Sequence, residues 1–238
     1  MSKSARSGTH GCAFCGQPWS AVSRSKEHVW PQWLRKHAAG FSESHFDHSA
    51  GLGLSDDGRA YIEHQTTTEI HKTTIFTTKT REVCSRCNGG WMSTLEVQVE
   101  PIFVRLLNSA DTGFGCALSP ADAQILGRWA QKTSLAHFLT MSDPPFEFQE
   151  LRRRLHSESR PLVPGYVWIG RLLDNDEMFA VQAHIKIGDT ETPAPYEKLR
   201  SGLLFCVCFR HVAVLAYRTY LARDRGFVRA RGVCLTGG

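Results

Sequence analysis

Two short cysteine pairs constrain this chain more than anything else in it. Cys12-x2-Cys15 and Cys84-x2-Cys87 are separated by 68 residues. A two-residue spacing lets both sulfurs point at one tetrahedral Zn(II) from a tight turn, and two such turns close a four-thiolate site. If one ion takes all four thiolates, residues 12 and 87 meet in space. Everything between them is then a loop anchored at both ends. A redox Cys-x-x-Cys is the competing reading, but no strand precedes Cys12 as a thioredoxin-like site requires. The spacing therefore predicts structural Zn(II) held by Cys12, Cys15, Cys84 and Cys87.

The polar start of the chain, Met-Ser-Lys-Ser-Ala-Arg-Ser-Gly, lacks the apolar core of a secretory signal. No stretch approaches the roughly 18 consecutive apolar residues of a membrane-spanning helix. The expectation is a cytoplasmic protein that engages no membrane. Thiols stay reduced there, so the eight cysteines read as metal ligands or buried thiols, not disulfides. Cys116, Cys206, Cys208 and Cys234, outside the two pairs, are expected to be buried thiols.

With 42% hydrophobic and 21% charged residues the chain has an ordinary globular balance, which excludes disorder as its main state. Its 238 residues suit one or two domains. The net charge of +5 is unevenly spread: residues 1–100 hold 11 Lys/Arg against 10 Asp/Glu, and residues 151–238 hold 14 against 8. Arg152, Arg153, Arg154, Arg218, Arg223, Arg225, Arg229 and Arg231 carry much of that excess. Such a surface suits a polyanion like nucleic acid, and a solvated face accounts for it equally well.

Residues 38–58, rich in Gly, Ser, Asp and His, predict a long loop. The Thr-rich residues 60–83 alternate weakly and predict one or two short strands. Asn88-Gly89-Gly90 predicts a turn. From Trp91 the apolar residues Leu95, Val99, Ile102 and Leu106 recur at helical steps, and Pro101 should kink or end that helix. Ser119-Pro120-Ala121-Asp122 offers an N-cap, a proline at the first helical position and an acid at the third. The helix it opens should end before Asp143-Pro144-Pro145. Residues 166–172, 179–187, 203–209 and 212–217 read as strands. A helix followed by an antiparallel meander is an α+β pattern.

If one zinc joins the cysteine pairs, Asn88 is held beside that site. The segment carrying Glu27 and His28 has only a short way to return from Cys15. A carboxylate, an imidazole and an amide then converge, as in an active site. Carboxylate and amide oxygens are hard ligands that suit Mg(II) or Mn(II) retaining several waters. A neutral imidazole, ordinarily titrating near about 6.5, can serve as a base. Trp30, Trp33 and Trp91 are expected to form core beside the zinc. His45-Phe46-Asp47-His48 has the look of a ligand cluster but falls within the predicted loop.

The series Cys-x2-Cys, Glu27-His28-Val29-x-Pro31 and Cys-x2-Cys-Asn88 resembles the HNH endonucleases over about the first 100 residues. The flanks Trp30-Pro31-x-Trp33-Leu34 and Asn88-x-Gly90-Trp91-Met92-x-x-Leu95-Glu96 resemble a branch of bacterial and phage HNH proteins. The resemblance implies a zinc-stabilised ββα-metal, treble-clef-like module built around one catalytic metal. It places His28 as the general base that activates water, Glu27 as a metal ligand and Asn88 as another. Two of the family's positions depart. Lys79 and Thr80 stand where an Asn is usual, and Trp91 and Met92 stand where a final ligand is usual. His64, His71 and Glu96 are the candidates for a further ligand.

The expectation is thus an α+β protein with an HNH-like module in residues 1–100 and an α+β accessory domain, with an antiparallel sheet, in residues 101–238. Its activity would be metal-dependent hydrolysis of phosphodiester bonds, with double-stranded DNA as the substrate. Residues 101–238 would serve specificity, a homodimer contact or a protein partner, their arginines meeting phosphates. The alternative is a zinc-stabilised nucleic-acid-binding or interaction module without catalysis, which would need the cysteines but not Glu27, His28 and Asn88.

Overall fold

The computed structural model describes residues 10–38, 45–54, 60–71, 75–113, 115–140, 147–162, 166–171, 178–187, 200–210 and 212–219. Its elements are β1 (Glu27–His28), β2 (His45–Leu54), β3 (Ala60–His71), β4 (Lys79–Thr80), α1 (Ser85–Cys87), α2 (Ser93–Thr112), α3 (Pro120–His137), α4 (Glu147–Ser157), β5 (Tyr166–Arg171), β6 (Met178–Ile187), β7 (Arg200–Phe209) and β8 (Val212–Thr219). Mixed helices and small antiparallel sheets make the fold α+β, as the sequence pattern predicts. Two compact units divide the chain: Trp30–Thr78 forms one, and Met1–Val29 with Lys79–Gly238 the other.

In the unit Trp30–Thr78, Pro31 leads into a 3-10 helix, Gln32–His37, where its missing N–H leaves no bond unmade. Trp30, Leu34 and Phe76 are buried. Gln32 Nε2 donates to the Phe76 carbonyl at 2.8 Å, tying the helix to the far end of the unit. β2 and β3 form an antiparallel ribbon running from His45 opposite His71 to Leu54 opposite Ala60. Of the loop predicted over residues 38–58, His45–Leu54 is strand, and the His45–His48 cluster lies in it, while residues 39–44 and 55–58 lie outside the described residues. A ladder is built from backbone N–H and C=O groups. Gly and Ser can join it without leaving the apolar alternation that pattern reading needs.

In the larger unit, α2 runs through Pro101 to Thr112, so of the two expected effects, a kink or an end, the proline does not end the helix. The proline removes one backbone donor, but Leu95, Val99, Ile102, Phe103, Leu106 and Leu107 bury a continuous face on both sides of it. Gly113, at φ 78, ends the helix in the left-handed conformation that glycine adopts freely. α3 opens as the sequence predicts. The Ser119 hydroxyl accepts from the Asp122 N–H at 3.1 Å, and Asp122 Oδ2 accepts from the Ser119 N–H at 3.2 Å. This is a reciprocal capping box with Pro120 at the first position.

α2 is continuous across residues 100 and 101, and residues from both sides share one core. Phe14, Val83, Cys87 and Met92 pack with Leu135, Phe138, Phe148, Leu151 and Leu162. A second contact group joins Phe103 to Trp129 at 5.4 Å and to Phe209 at 6.2 Å between ring centroids, linking α2, α3 and β7. The sheet has the order β5-β8-β7-β6, all antiparallel. Only β6-β7-β8 is a meander; β5 pairs with β8 and not with its chain neighbour β6, so the predicted four-strand meander holds for three strands. Among the described residues no helix is long and apolar enough to cross a membrane.

Candidate functional site

The two cysteine pairs come together as their spacing predicts. The sulfurs of Cys12, Cys15, Cys84 and Cys87 all lie within 4.8 Å of one another. Cys12 and Cys87 sulfurs are 3.8 Å apart, and those of Cys15 and Cys84 3.7 Å. A tetrahedral Zn(II) with bonds of about 2.3 Å requires sulfur separations of about 3.8 Å, so the four thiols fit one zinc ion. Each knuckle is fixed locally. Gly16 N–H donates to the Cys12 carbonyl at 2.9 Å, with Gly16 at φ 72. The Cys84 N–H donates to Cys12 Sγ at 3.3 Å and the Cys87 N–H to Cys84 Sγ at 3.4 Å. The hydrogen bond shared with Cys87 outweighs burial and holds the Cys12 thiol down at about 4, while the same bond pushes Cys87 up. Burial raises Cys15. Of the remaining cysteines, Cys116 is half-buried where burial was expected. Cys234 and the side chains of Cys206 and Cys208 lie outside the described residues.

From this cluster an antiparallel run leads to the candidate base. Ser85 N–H donates to the Ser23 carbonyl and Ser25 N–H to the Val83 carbonyl, each at 2.9 Å, with Arg24 bridged to Cys84 between them. The register then slips by one residue, and β1 pairs with β4, Glu27 opposite Thr80 and His28 opposite Lys79. Lys79 and Thr80 are therefore the cross-strand neighbours of His28 and Glu27. Asn88 reaches the same run from the wide helical turn Asn88–Met92, which breaks at Gly90 and leads into α2. Its Nδ2 donates to Ser25 Oγ at 3.2 Å, two residues before Glu27. The expected segment, turn and zinc ligands are thus joined by hydrogen bonds.

Glu27 has a partner that the sequence reading did not include. Lys132 Nζ, on α3, lies 2.7 Å from Glu27 Oε1 and 2.7 Å from Glu96 Oε1. The Lys132 side chain has 0% exposure and that of Glu27 5%, so their contact is closed to water, while Glu96 at 23% reaches solvent. Burial alone would pull Lys132 down, but the two carboxylates outweigh it and hold the ammonium above the ordinary lysine range. Burial pushes Glu27 up, against the pull of Lys132, and Glu96 adds to the rise. The sequence carries one signal of this. Lys132 falls three residues after Trp129 and four before Ala136, on the buried stripe of α3, where a cation needs a buried partner.

The predicted divalent metal can be tested against this arrangement. Mg(II) and Mn(II) keep several waters and need open carboxylate oxygens. Glu27 instead gives an oxygen to an ammonium within a closed contact. As arranged, Glu27 does not fit a hydrated divalent ion; the Asn88 amide is held through its nitrogen, which donates to Ser25. Glu96, offered as a further ligand, belongs to the same ion pair. The side chains of His64 and His71, in β3, lie outside the described residues.

His28 is half-buried. Burial, then the charges of Lys79 and Lys132, lower its pKa below the ordinary 6.5, with Glu96 opposing. Lys79, its cross-strand neighbour, is exposed, as are Lys26 in the segment leading into β1, Arg81 just after β4 and Arg86 in α1. The arginine triple of the second half contributes less than its composition suggests. Arg152 is buried, Arg154 is paired with Glu158 at 3.0 Å, and only Arg153 is exposed. Arg223, Arg225, Arg229, Arg231 and the side chain of Arg218 lie outside the described residues. Of the three tryptophans expected in the core, Trp30 is buried, while Trp33 and Trp91 are half-buried. Trp91 packs against Phe14 at 5.7 Å and lies under the Arg128 guanidinium at 5.0 Å. Compared with known proteins, the chain matches no family model, no curated protein and no solved structure.

Proposed function

We propose that this chain is a zinc-stabilised nuclease that hydrolyses phosphodiester bonds, double-stranded DNA being the first substrate to test. The observation that supports it best is the placement of His28: half-buried, kept neutral by its surroundings, and bonded through β1 and β4 to a four-cysteine knuckle. In this reading the imidazole takes a proton from water as the water oxygen attacks phosphorus, and the 3′-oxygen leaves. Lys79, opposite His28, and the exposed Lys26, Arg81 and Arg86 supply positive charge for the phosphates. Zn(II) at the cysteines is structural and takes no part in the chemistry.

The test is nicking of supercoiled plasmid by zinc-loaded protein, with and without Mg(II). General-base catalysis contributes about 10²–10⁴-fold, so His28→Ala should lose that much of the rate. Only the neutral imidazole accepts a proton, and its pKa is lowered. Activity should therefore persist as pH falls through 6.5 and decline below it. Cleavage by His28→Ala at the wild-type rate would overturn the assignment.

A second reading, a nucleic-acid-binding module without catalysis, is favoured by one observation: Lys132 already occupies the Glu27 carboxylate. DNA retained on the protein without nicking, under every condition of the plasmid assay, selects that reading.

A further inference from the structure

We propose that Lys132 is the resident cation of the Glu27 and Glu96 carboxylates, so that this chain keeps a protein ammonium where the resemblance reserves a divalent metal. One nitrogen stands 2.7 Å from an oxygen of each carboxylate, the two coming from β1 and α2 and the nitrogen from α3. Three elements distant in sequence therefore meet at a single positive charge. That charge is fully buried. A lysine is almost never fully buried unless paired, and here two carboxylates balance its desolvation.

The position of Glu96 adds to the inference. It lies two helical turns along from Asn88, too far to share a metal with it comfortably, yet it shares Lys132 with Glu27 at hydrogen-bond distance. The second carboxylate is thus placed for the ammonium. An ammonium donates from three hydrogens and binds no water as a ligand, so the site offers a charge and no open coordination position. Removing that charge should leave two carboxylates facing one gap, which a divalent ion can then fill. The inference concerns what the carboxylates hold, and its test reads metal binding and not cleavage.

Mn(II) binding to the zinc-loaded full chain, followed by electron paramagnetic resonance, tests it without an activity assay. Wild type and Glu27→Gln should give superimposable titrations, because Glu27 is not available to the ion. Glu27→Gln leaves Lys132 paired with Glu96, so this comparison does not depend on a disruptive variant. Lys132→Met, where folded by circular dichroism and zinc content, should gain a Mn(II) site at least tenfold tighter than any in wild type. Adding Glu27→Gln should remove it. A Glu27-dependent Mn(II) site in wild type overturns the proposal, as does a folded Lys132→Met that binds Mn(II) no better than wild type.

Discussion

The cysteine cluster and the Glu27–Lys132–Glu96 cluster belong to one unit, and each gathers groups that carry negative charge in their metal-binding or ionised form. They differ in where the balancing cation comes from. The four sulfurs stand at separations that suit an ion from outside, with backbone N–H groups already turned toward them. The two carboxylates hold a cation from within the chain, on a helix that packs against the element carrying one of them. One cluster is incomplete as polypeptide; the other is complete. The metal-dependence of the fold should therefore reside in the first alone.

The largest expected effect breaks the comparison on the cysteine side. Structural zinc contributes apparent binding free energies of about 10–16 kcal/mol at neutral pH, against a total domain stability of about 5–15 kcal/mol. Cys84→Ser, or stripping of zinc by a strong chelator, should unfold the larger unit. The measurement is circular dichroism beside metal analysis, with one zinc per folded chain expected. A Cys84→Ser protein that keeps its native spectrum and melting temperature removes zinc from the account.

The same contrast explains what could be read from the sequence. The cysteine cluster is legible because its geometry is local: a two-residue gap fixes each knuckle, and only their pairing is long-range. The capping box of α3 is legible for the same reason, since Ser119, Pro120 and Asp122 act within one turn. In the second cluster both carboxylates stand out as candidate ligands, but not the lysine between them. Glu27, Glu96 and Lys132 are distant in sequence, and no spacing rule joins them; only the misfit of Lys132 on an apolar stripe marks it. β2 escaped for a different reason. Its Gly, Ser and His residues leave no alternation, and its pairing with β3 is carried by backbone groups. The order of β5 beside β8 escaped because strand propensity says nothing of partner choice.

A smaller but still large effect sharpens the comparison on the carboxylate side. Removing one partner of a buried ion pair leaves an uncompensated buried charge and costs about 3–5 kcal/mol. Lys132→Met should lose that much in urea unfolding. Replacing all three charges by near-isosteres, Glu27→Gln with Lys132→Met and Glu96→Gln, should recover most of it, because buried ionic clusters are often no more stable than uncharged replacements. A Lys132→Met protein within about 1 kcal/mol of wild type would mean that Lys132 behaves like a surface charge.

The smallest effect supplies the control, because a surface ion pair lies close to the same two clusters. Arg24, which bridges to Cys84, has its guanidinium 3.2 Å from Glu82 Oε1, and both side chains are solvent-exposed in part. The distance is close to that of the Lys132 contacts, but water competes for both charges. Such exposed pairs are worth about 0.2–1 kcal/mol and are screened by salt. Arg24 also stacks on Trp19 at 4.1 Å, a contact that survives loss of the carboxylate charge. Glu82→Gln should therefore shift urea unfolding by no more than about 1 kcal/mol, and the shift should shrink further in molar salt. Lys132→Met should keep most of its cost at the same salt concentration, since ions do not reach a fully buried nitrogen. Equal salt sensitivity in the two variants would mean that solvent reaches Lys132, and that burial is not what separates them.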